Sequence, residues 1–424
     1  MSLTLRILLA LVLGLAIGAG LATFQPQWLG PPTEIAKVVG GLWLDALRMT
    51  IVPLIFSLLV TGVASAAGTL AAGGVAARTL GLFAVLLLAA ALLSALAVPA
   101  ILRVFPIPIE AATALRAGLG EHPAVPSLPP IGDWLRGFVP VNPVGAAANG
   151  AIVPLVVFAL VFGLAVTRIE AKSRDSLLAV LDAVVAAMLV IVRWVLWAAP
   201  AGVLALSLQV GATAGVGAAG ALAHYVIVIS AVCVMVTVAV YPLVTLTARI
   251  PLVHFARAVA PAQLVAFSTQ SSIASLPAMV DATQRALKVP EHISNLVLPL
   301  AVSLFRITSA TANMAVAVYV AALFGVPLTP LTLGTGVIVA AIVSLAAVGL
   351  PSQVSFFTAI GPVCLAMGAP IAVLPLLLAI ESIPDIFRTV GNVTADVAVT
   401  AMIDRNSPRQ DQGSEAEEPR EPDL

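Results

Sequence analysis

Residues 381–396 read Glu381-Ser382-Ile383-Pro384-Asp385-Ile386-Phe387-Arg388-Thr389-Val390-Gly391-Asn392-Val393-Thr394-Ala395-Asp396, inside an apolar segment running from about 371 to 403. Glu381, Asp385, Arg388, Asn392 and Asp396 are spaced by three or four and stack on one face of a helix. An ionisable side chain at the centre of a bilayer costs at least about 2.5–3.5 kcal/mol, so this face turns away from lipid and marks a solute or ion pathway. The competing reading is an internal ladder of salt bridges that ties helices together.

Composition makes lipid the relevant solvent. Of 424 residues, 61% are hydrophobic and 9% charged, against roughly 25% charged in a soluble domain. Continuous apolar runs such as Leu82 to Leu102 and Val226 to Val244 exceed the roughly 18 residues that signal a membrane helix and lack a strand's alternation. In lipid every backbone polar group must be bonded internally, and these runs select helices over a closed barrel. Lys plus Arg and Asp plus Glu are both 20, so no basic excess argues for a nucleic-acid partner. Cys233 and Cys364 both lie in apolar segments, which supports neither a disulfide framework nor a zinc site. Met1 to Leu21 carries an early Arg6 and an apolar stretch without a cleavage site, and is read as the first span.

Apolar segments near 5–24, 37–66, 77–104, 144–167, 177–208, 217–248, 292–324 and 371–403 predict eight spans in an all-α integral membrane protein. Residues 257–285 and 329–369 are apolar but interrupted, by Ser268, Ser271, Ser272 and Pro277 in the first and by Gly349, Pro351, Ser352 and Pro362 in the second. Each is read as a re-entrant helical hairpin, because irregular backbone at membrane depth survives only inside protein or beside a water-filled cavity. Two such segments, one before each of the last two spans, point to a midplane binding site between repeats, and a salt-bridge ladder would not need them. Short cytoplasmic loops carry excess Lys and Arg. With the N terminus inside, the inner loops hold Arg78, then Arg168, Lys172 and Arg174, then Arg249 and Arg257, then Arg285 and Lys288, then Arg405. Both termini are therefore expected on the cytoplasmic side of a cell (inner or plasma) membrane, and the polar, acidic tail 404–424 is expected to be disordered.

On the charged face, Arg388 offers a planar fork that matches a carboxylate bidentately, which makes it the expected clamp for a substrate carboxylate. Asp385 can accept an ammonium group, and Asn392 can donate its amide to a second carboxylate or offer its carbonyl oxygen to a cation. The three together suit an acidic amino acid. In the first hairpin Ser271 and Ser272 precede Ala274-Ser275-Leu276-Pro277, where a helix end would present free backbone N–H groups to an anion; a simple turn accounts for the same residues. Arg306 lies deep in the apolar seventh span, and its burial cost predicts a partner carboxylate on the last span, Asp396 or Glu381. Such a pair fixes a positive charge where a transporter otherwise binds a cation. His122, His224, His254 and His292 lack ligand spacing and are read as interfacial or exposed, and Asp45 and Arg48 are expected to pair within their helix. No phosphate loop, nucleophile elbow or metal motif occurs, so neither an ATP-driven pump nor an enzyme is supported.

Met49-Thr-Ile-Val-Pro-Leu-Ile-Phe56, Val141-Asn142-Pro143 with Ala148-Asn149-Gly150, Ala199-Pro200-Ala-Gly-Val203, Ser268-Thr-Gln-Ser-Ser-Ile-Ala-Ser-Leu-Pro277 and Arg388-Thr-Val-Gly-Asn-Val-Thr-Ala-Asp396 follow one another in order. Over about residues 5–403 the chain thereby resembles the dicarboxylate/amino acid:cation symporters, which include the excitatory amino acid transporters and archaeal aspartate transporters. The resemblance implies an inverted-repeat elevator fold and a homotrimer. Its scaffold would be spans 1–2 (1–66) and spans 4–5 (144–208), and its transport domain span 3 (77–104) and residues 217–403, with 105–143 an extracellular loop. It also implies that Ser272 and Asn392 bind the substrate main-chain carboxylate, with Ser271 and Thr389 beside them. Arg388 would bind the side-chain carboxylate, Asp385 the amino group, Ser309 would supply a substrate-side hydroxyl, and Asp396 would be a sodium ligand.

Departures from the family bear on coupling. Its Asn-Met-Asp-Gly-Thr motif is replaced here by Phe305-Arg306-Ile307-Thr308-Ser309, and the second hairpin's tip reads Ser352-Gln353-Val354 where glycine-rich residues are usual. The third span lacks an evident Thr-Ser pair. The expected function is symport of acidic amino acids or related dicarboxylates with Na+ or H+ as coupling ion and no other cofactor. Cation-independent exchange and a transporter-like anion channel or sensor are the alternatives.

Overall fold

The computed structural model describes residues 3–24, 30–71, 74–118, 136–214, 217–346 and 356–406. Regular structure among them is helical throughout. The first half comprises α1 (Leu3–Phe24), α2 (Gly30–Ala71), α3 (Gly74–Val104), α4 (Ile109–Gly118), α5 (Pro143–Ala148), α6 (Ile152–Val166), α7 (Ala171–Trp197) and α8 (Ala199–Ala214). The second comprises α9 (Gly217–Thr247), α10 (Leu252–Thr269), α11 (Ser272–Asp281), α12 (Glu291–Leu304), α13 (Ile307–Leu323), α14 (Pro330–Ala346), α15 (Gly361–Ala366), α16 (Leu374–Ile380) and α17 (Ser382–Asn406). Short π-helical turns follow α11 (Ala282–Ala286) and precede α15 (Phe356–Ile360).

Seven helical stretches among the described residues are long and apolar enough to cross a membrane, and four shorter apolar ones accompany them: Ile152–Val166, Ala199–Thr213, Pro330–Leu345 and Phe356–Ala366. Their outer faces are greasy. On α3 the stripe Phe83, Leu87, Ala91, Ser94 and Val98 faces inward while Val85, Leu88, Leu92 and Leu96 remain exposed, as expected of a helix that is apolar all round and solvated by lipid. The most apolar window of α7 is only 11% buried, whereas that of α17 is 83% buried. The helix carrying the charged stripe is thus the one that protein covers.

Between helices in lipid there is no hydrophobic drive, so close packing at small residues and polar bonds hold them together. Gly14 and Gly18 of α1 lie against Ser207, Leu208 and Ala212 of α8, and Gly211 of α8 lies against Leu15 of α1, so a Cβ at any of the three would meet backbone or side chain. Trp43 of α2 donates from Nε1 to the Val195 carbonyl of α7 at 2.8 Å. α2 packs on α6, α7 and α8, while α17 is enclosed by α9, α10, α11, α12 and α13. Gln263 of α10 donates to Tyr241 Oη of α9 (2.8 Å) and lies 2.7 Å from Thr394 Oγ1 of α17.

Several boundaries differ from the sequence expectation. The seventh span is broken: Phe305 and Arg306 are non-helical between α12 and α13. The last is broken at Glu381 between α16 and α17, where Pro384 removes an N–H and its ring crowds the carbonyl four residues back, that of Ile380. The stretch 177–208 divides at Ala198, just before Pro200. The connection 105–143 is not irregular throughout, since α4 buries Ala111, Ala112 and Leu115, and Arg116 Nε donates to the Leu323 carbonyl. The first hairpin is formed as α10 and α11 meeting at left-handed Gln270 (φ 52°). The second hairpin's flanks are α14 and α15, while its tip, with Ser352, Gln353 and Val354, lies outside the described residues, as do His122 and the tail beyond Asn406.

Candidate functional site

The polar face of α17 meets the two breaks. Arg388, Glu381, Asp385, Asn392 and Asp396 are all buried, each at most 4% exposed. Arg388 Nη2 donates to Glu381 Oε1, and Nη1 stands 3.5 Å from Asp385 Oδ1. Tyr225 of α9 donates its hydroxyl to Glu381 Oε2 at 2.7 Å. The Arg388 Nε finds no hydrogen-bond partner. A guanidinium has five donors in a fixed fork, so one donor of this one, Nε–H, remains open inside a closed cluster.

Asn392 bridges to the broken seventh span. Its Oδ1 accepts from the Thr308 backbone N–H at 3.0 Å, and its Nδ2 donates to Ser309 Oγ at 3.2 Å. The first N–H groups of a helix have no partner within it; here a side chain from another helix supplies one for α13, as an N-cap would. Thr308 Oγ1 lies 2.5 Å from the Arg388 carbonyl and 2.7 Å from Asn392 Oδ1, and donates to one at a time. Gly391 makes the approach possible: a Cβ there would collide with Thr308 and with Thr237 Oγ1.

Arg306 sits in the break itself. The expected pairing with Glu381 does not form, because Glu381 is held by Arg388 and Tyr225. Arg306 makes no ion pair within 4 Å among the described residues; the charges that reach it are those of Asp385, Asp396 and Arg388. Both carboxylate oxygens of Asp396 are buried without a hydrogen-bond partner. Phe305 turns the other way and stacks on Phe83 of α3 at 4.6 Å.

The remaining candidates are more local. Thr389 donates to the Asp385 carbonyl of its own helix at 2.8 Å. Ser271 caps α11 by accepting from the Ala274 N–H at 3.2 Å. α11 packs against α17, yet neither Ser271 nor Ser272 makes a hydrogen bond to the Arg388 cluster. Asp45 and Arg48 pair within α2 at 3.4 Å, exposed, beside an open cavity of about 700 Å³ that shares no residue with the cluster. His254 and His292 are exposed.

Two groups were not legible. His224 is buried, not interfacial: its ring lies 3.1 Å from Tyr319 Oη and 3.1 Å from the Phe105 carbonyl. Tyr225, beside it, supplies the cluster's hydroxyl, and the only sequence signal was a polar-tipped aromatic pair in an apolar run, which burial requires to find a partner.

This arrangement can take up an anion at the free Nε–H of Arg388 or exchange one of its carboxylates for another, and the comparisons bear on which anions. The chain is 24% identical over 422 residues to the "Proton/glutamate-aspartate symporter" of Escherichia coli (strain K12), covering 95% of this chain and 92% of that protein. It is 25% identical to "C4-dicarboxylate transport protein 2" of Pseudomonas aeruginosa (strain UCBPP-PA14), with 97% and 92% covered. It is 29% identical to "Neutral amino acid transporter B(0)" of Bos taurus, with 95% and 79% covered. These relatives are transporters rather than enzymes. The family model described as "Sodium:dicarboxylate symporter family" matches residues 3–406, nearly the full chain, and the chain belongs to that family.

Proposed function

We propose that this chain is a secondary active transporter of acidic amino acids such as glutamate and aspartate, or of related dicarboxylates, coupled to H+ or Na+. The observation that carries the reading is Arg388, a buried guanidinium on the polar face of α17 whose Nε–H has no hydrogen-bond partner. That group recognises a carboxylate by geometry as well as charge. In this reading Arg388 takes the side-chain carboxylate and Asp385 the amino group. Ser272 and Asn392 take the main-chain carboxylate, with Ser271, Ser309 and Thr389 completing the wall. A neutral amino acid would leave Arg388 without its second carboxylate.

The spans and hairpins work as an elevator, with α3 and α9 to α17 moving against a scaffold of α1, α2 and α5 to α8, eight spans and two hairpins in all. The chain assembles as a homotrimer in a cell membrane with both termini cytoplasmic.

Arg306 favours a second reading of the coupling. A guanidinium facing Asp396 supplies the positive charge that a sodium ion would bring to that carboxylate, which favours proton coupling or cation-independent carboxylate exchange over sodium symport. An anion channel or sensor is the remaining alternative. Uptake of labelled aspartate, glutamate and succinate into proteoliposomes, with sodium and proton gradients imposed one at a time, separates these. Accumulation under the proton gradient alone is expected, with serine failing to compete. Accumulation driven only by sodium would return Asp396 to the role of sodium ligand. Downhill flux without accumulation or exchange would make the protein a channel.

A further inference from the structure

Glu381 is the residue of the cluster that the transport reading leaves without a task. It lies in the link between α16 and α17, seven residues before Arg388, and both its oxygens are engaged, Oε1 by Arg388 Nη2 and Oε2 by Tyr225. Asp385, one turn from Arg388 on the same helix, is held further off at 3.5 Å. A carboxylate that grips a guanidinium side-on uses Nε and one Nη together. Here Nε is buried and unpartnered while the adjacent Nη2 belongs to Glu381. The side-on seat is half taken, by an internal carboxylate.

Charge sharpens the point. The buried carboxylates Glu381, Asp385 and Asp396 outnumber the guanidiniums of Arg306 and Arg388 by one. A substrate anion entering with all of them ionised would add to that excess in a medium where like charges repel strongly. The titratable groups facing the pair are Tyr225 and Cys233 of α9, Asp385 of α17 and Arg306, with Tyr319 of α13 and Cys364 of α15 behind Tyr225. α8 and α14 have no titratable side chain, and those of α1, α3, α10, α11 and α12 are exposed.

Resting on the transport reading, we propose that Glu381 holds Arg388 in place of the substrate and releases it by taking a proton, so that each substrate molecule is accompanied by one proton on Glu381. The proton passes from solvent to Glu381 Oε1, and no other bond is made or broken. Nη2 is freed, and with Nε it receives the incoming carboxylate. The neutral Glu381 keeps the Tyr225 hydroxyl as donor. On the other side of the membrane the steps reverse, and Glu381 returns to Arg388 as the substrate leaves.

The test is titration calorimetry of aspartate and of succinate against the purified full-length protein between about pH 5 and 9, the range that brackets a buried carboxylate. Wild type is expected to lose affinity about tenfold per pH unit above the Glu381 transition, as linkage to one proton requires. Glu381→Gln is expected to bind with the low-pH affinity at every pH. In proteoliposomes it should exchange labelled for unlabelled substrate but not accumulate it on a proton gradient. Tyr225→Phe removes a donor to the carboxylate and should move the wild-type profile to higher pH, which a merely structural tyrosine would not do. A Glu381→Gln variant that keeps the pH slope, or a flat wild-type profile, overturns the proton role. If Glu381→Gln does not fold, an unmoved profile in Tyr225→Phe overturns it instead. Absence of binding by wild type at every pH overturns the transport reading, and this proposal with it.

Discussion

Arg388 is buried and Arg306 half-buried among lipid-solvated helices, and the backbone around them differs. Arg388 lies within α17, with its counter-charges Asp385 and Glu381 one and two turns earlier in sequence. Arg306 lies in an unwound link, with no ion pair among the described residues, and the nearest charges come from across the gap. A charge that a helix neutralises locally can trade one carboxylate for another without moving backbone. A charge in a break is held by the packing of separate helices, so it acts as a fixed field. The first arrangement suits a clamp, the second a permanent cation.

Removal of each charge tests that contrast. Arg388→Ala leaves Glu381 and Asp385 buried together without a counter-charge and is expected to cost about 3–5 kcal/mol, read as a fall in thermal unfolding temperature in detergent, with uptake abolished. Unchanged stability would mean the carboxylates are neutral in the resting protein. Arg306→Met leaves Asp396 unopposed, at about 3 kcal/mol because no direct contact is broken. Added NaCl, compared with choline chloride, should restore part of the loss; an equal response to both salts would remove the fixed-cation account.

Smaller changes sharpen the junction between the two regions. Gly391→Ala drives a Cβ into Thr308 and is expected to cost about 2 kcal/mol by overpacking, separating α17 from the start of α13. Asn392→Ala removes the cap on the Thr308 N–H, at about 1 kcal/mol, and hydrogen exchange should quicken at Thr308 and Ser309. Exchange unaffected there would mean another group caps α13.

The charged stripe of α17 was readable because polar groups at helical spacing stand out in an apolar background. The first hairpin was readable from the serine cluster around Gln270, where Ser271 does cap a helix. The partners within the stripe were not. Sequence offered Glu381 or Asp396 to Arg306, and the structure holds Glu381 against Arg388 and Tyr225 instead. The break at Phe305 and Arg306 contains neither glycine nor proline, and the group that stabilises it, Asn392, arrives 84 residues after Thr308. His224 was misread because a histidine in an apolar run gives no sign of whether a tyrosine and a carbonyl await it. Long-range polar satisfaction is a property of packing, and local pattern carries little of it.

The most direct test of the clamp is the dissociation constant of aspartate for Arg388→Lys and for Arg306→Met, measured on purified protein at low pH. Arg388→Lys keeps the charge and loses the fork, and should weaken binding about a hundredfold, some 3 kcal/mol, while Arg306→Met should stay within about threefold of wild type. The reverse order, with Arg388→Lys near wild type and Arg306→Met unable to bind, would contradict the account and place the substrate carboxylate at the break in the seventh span.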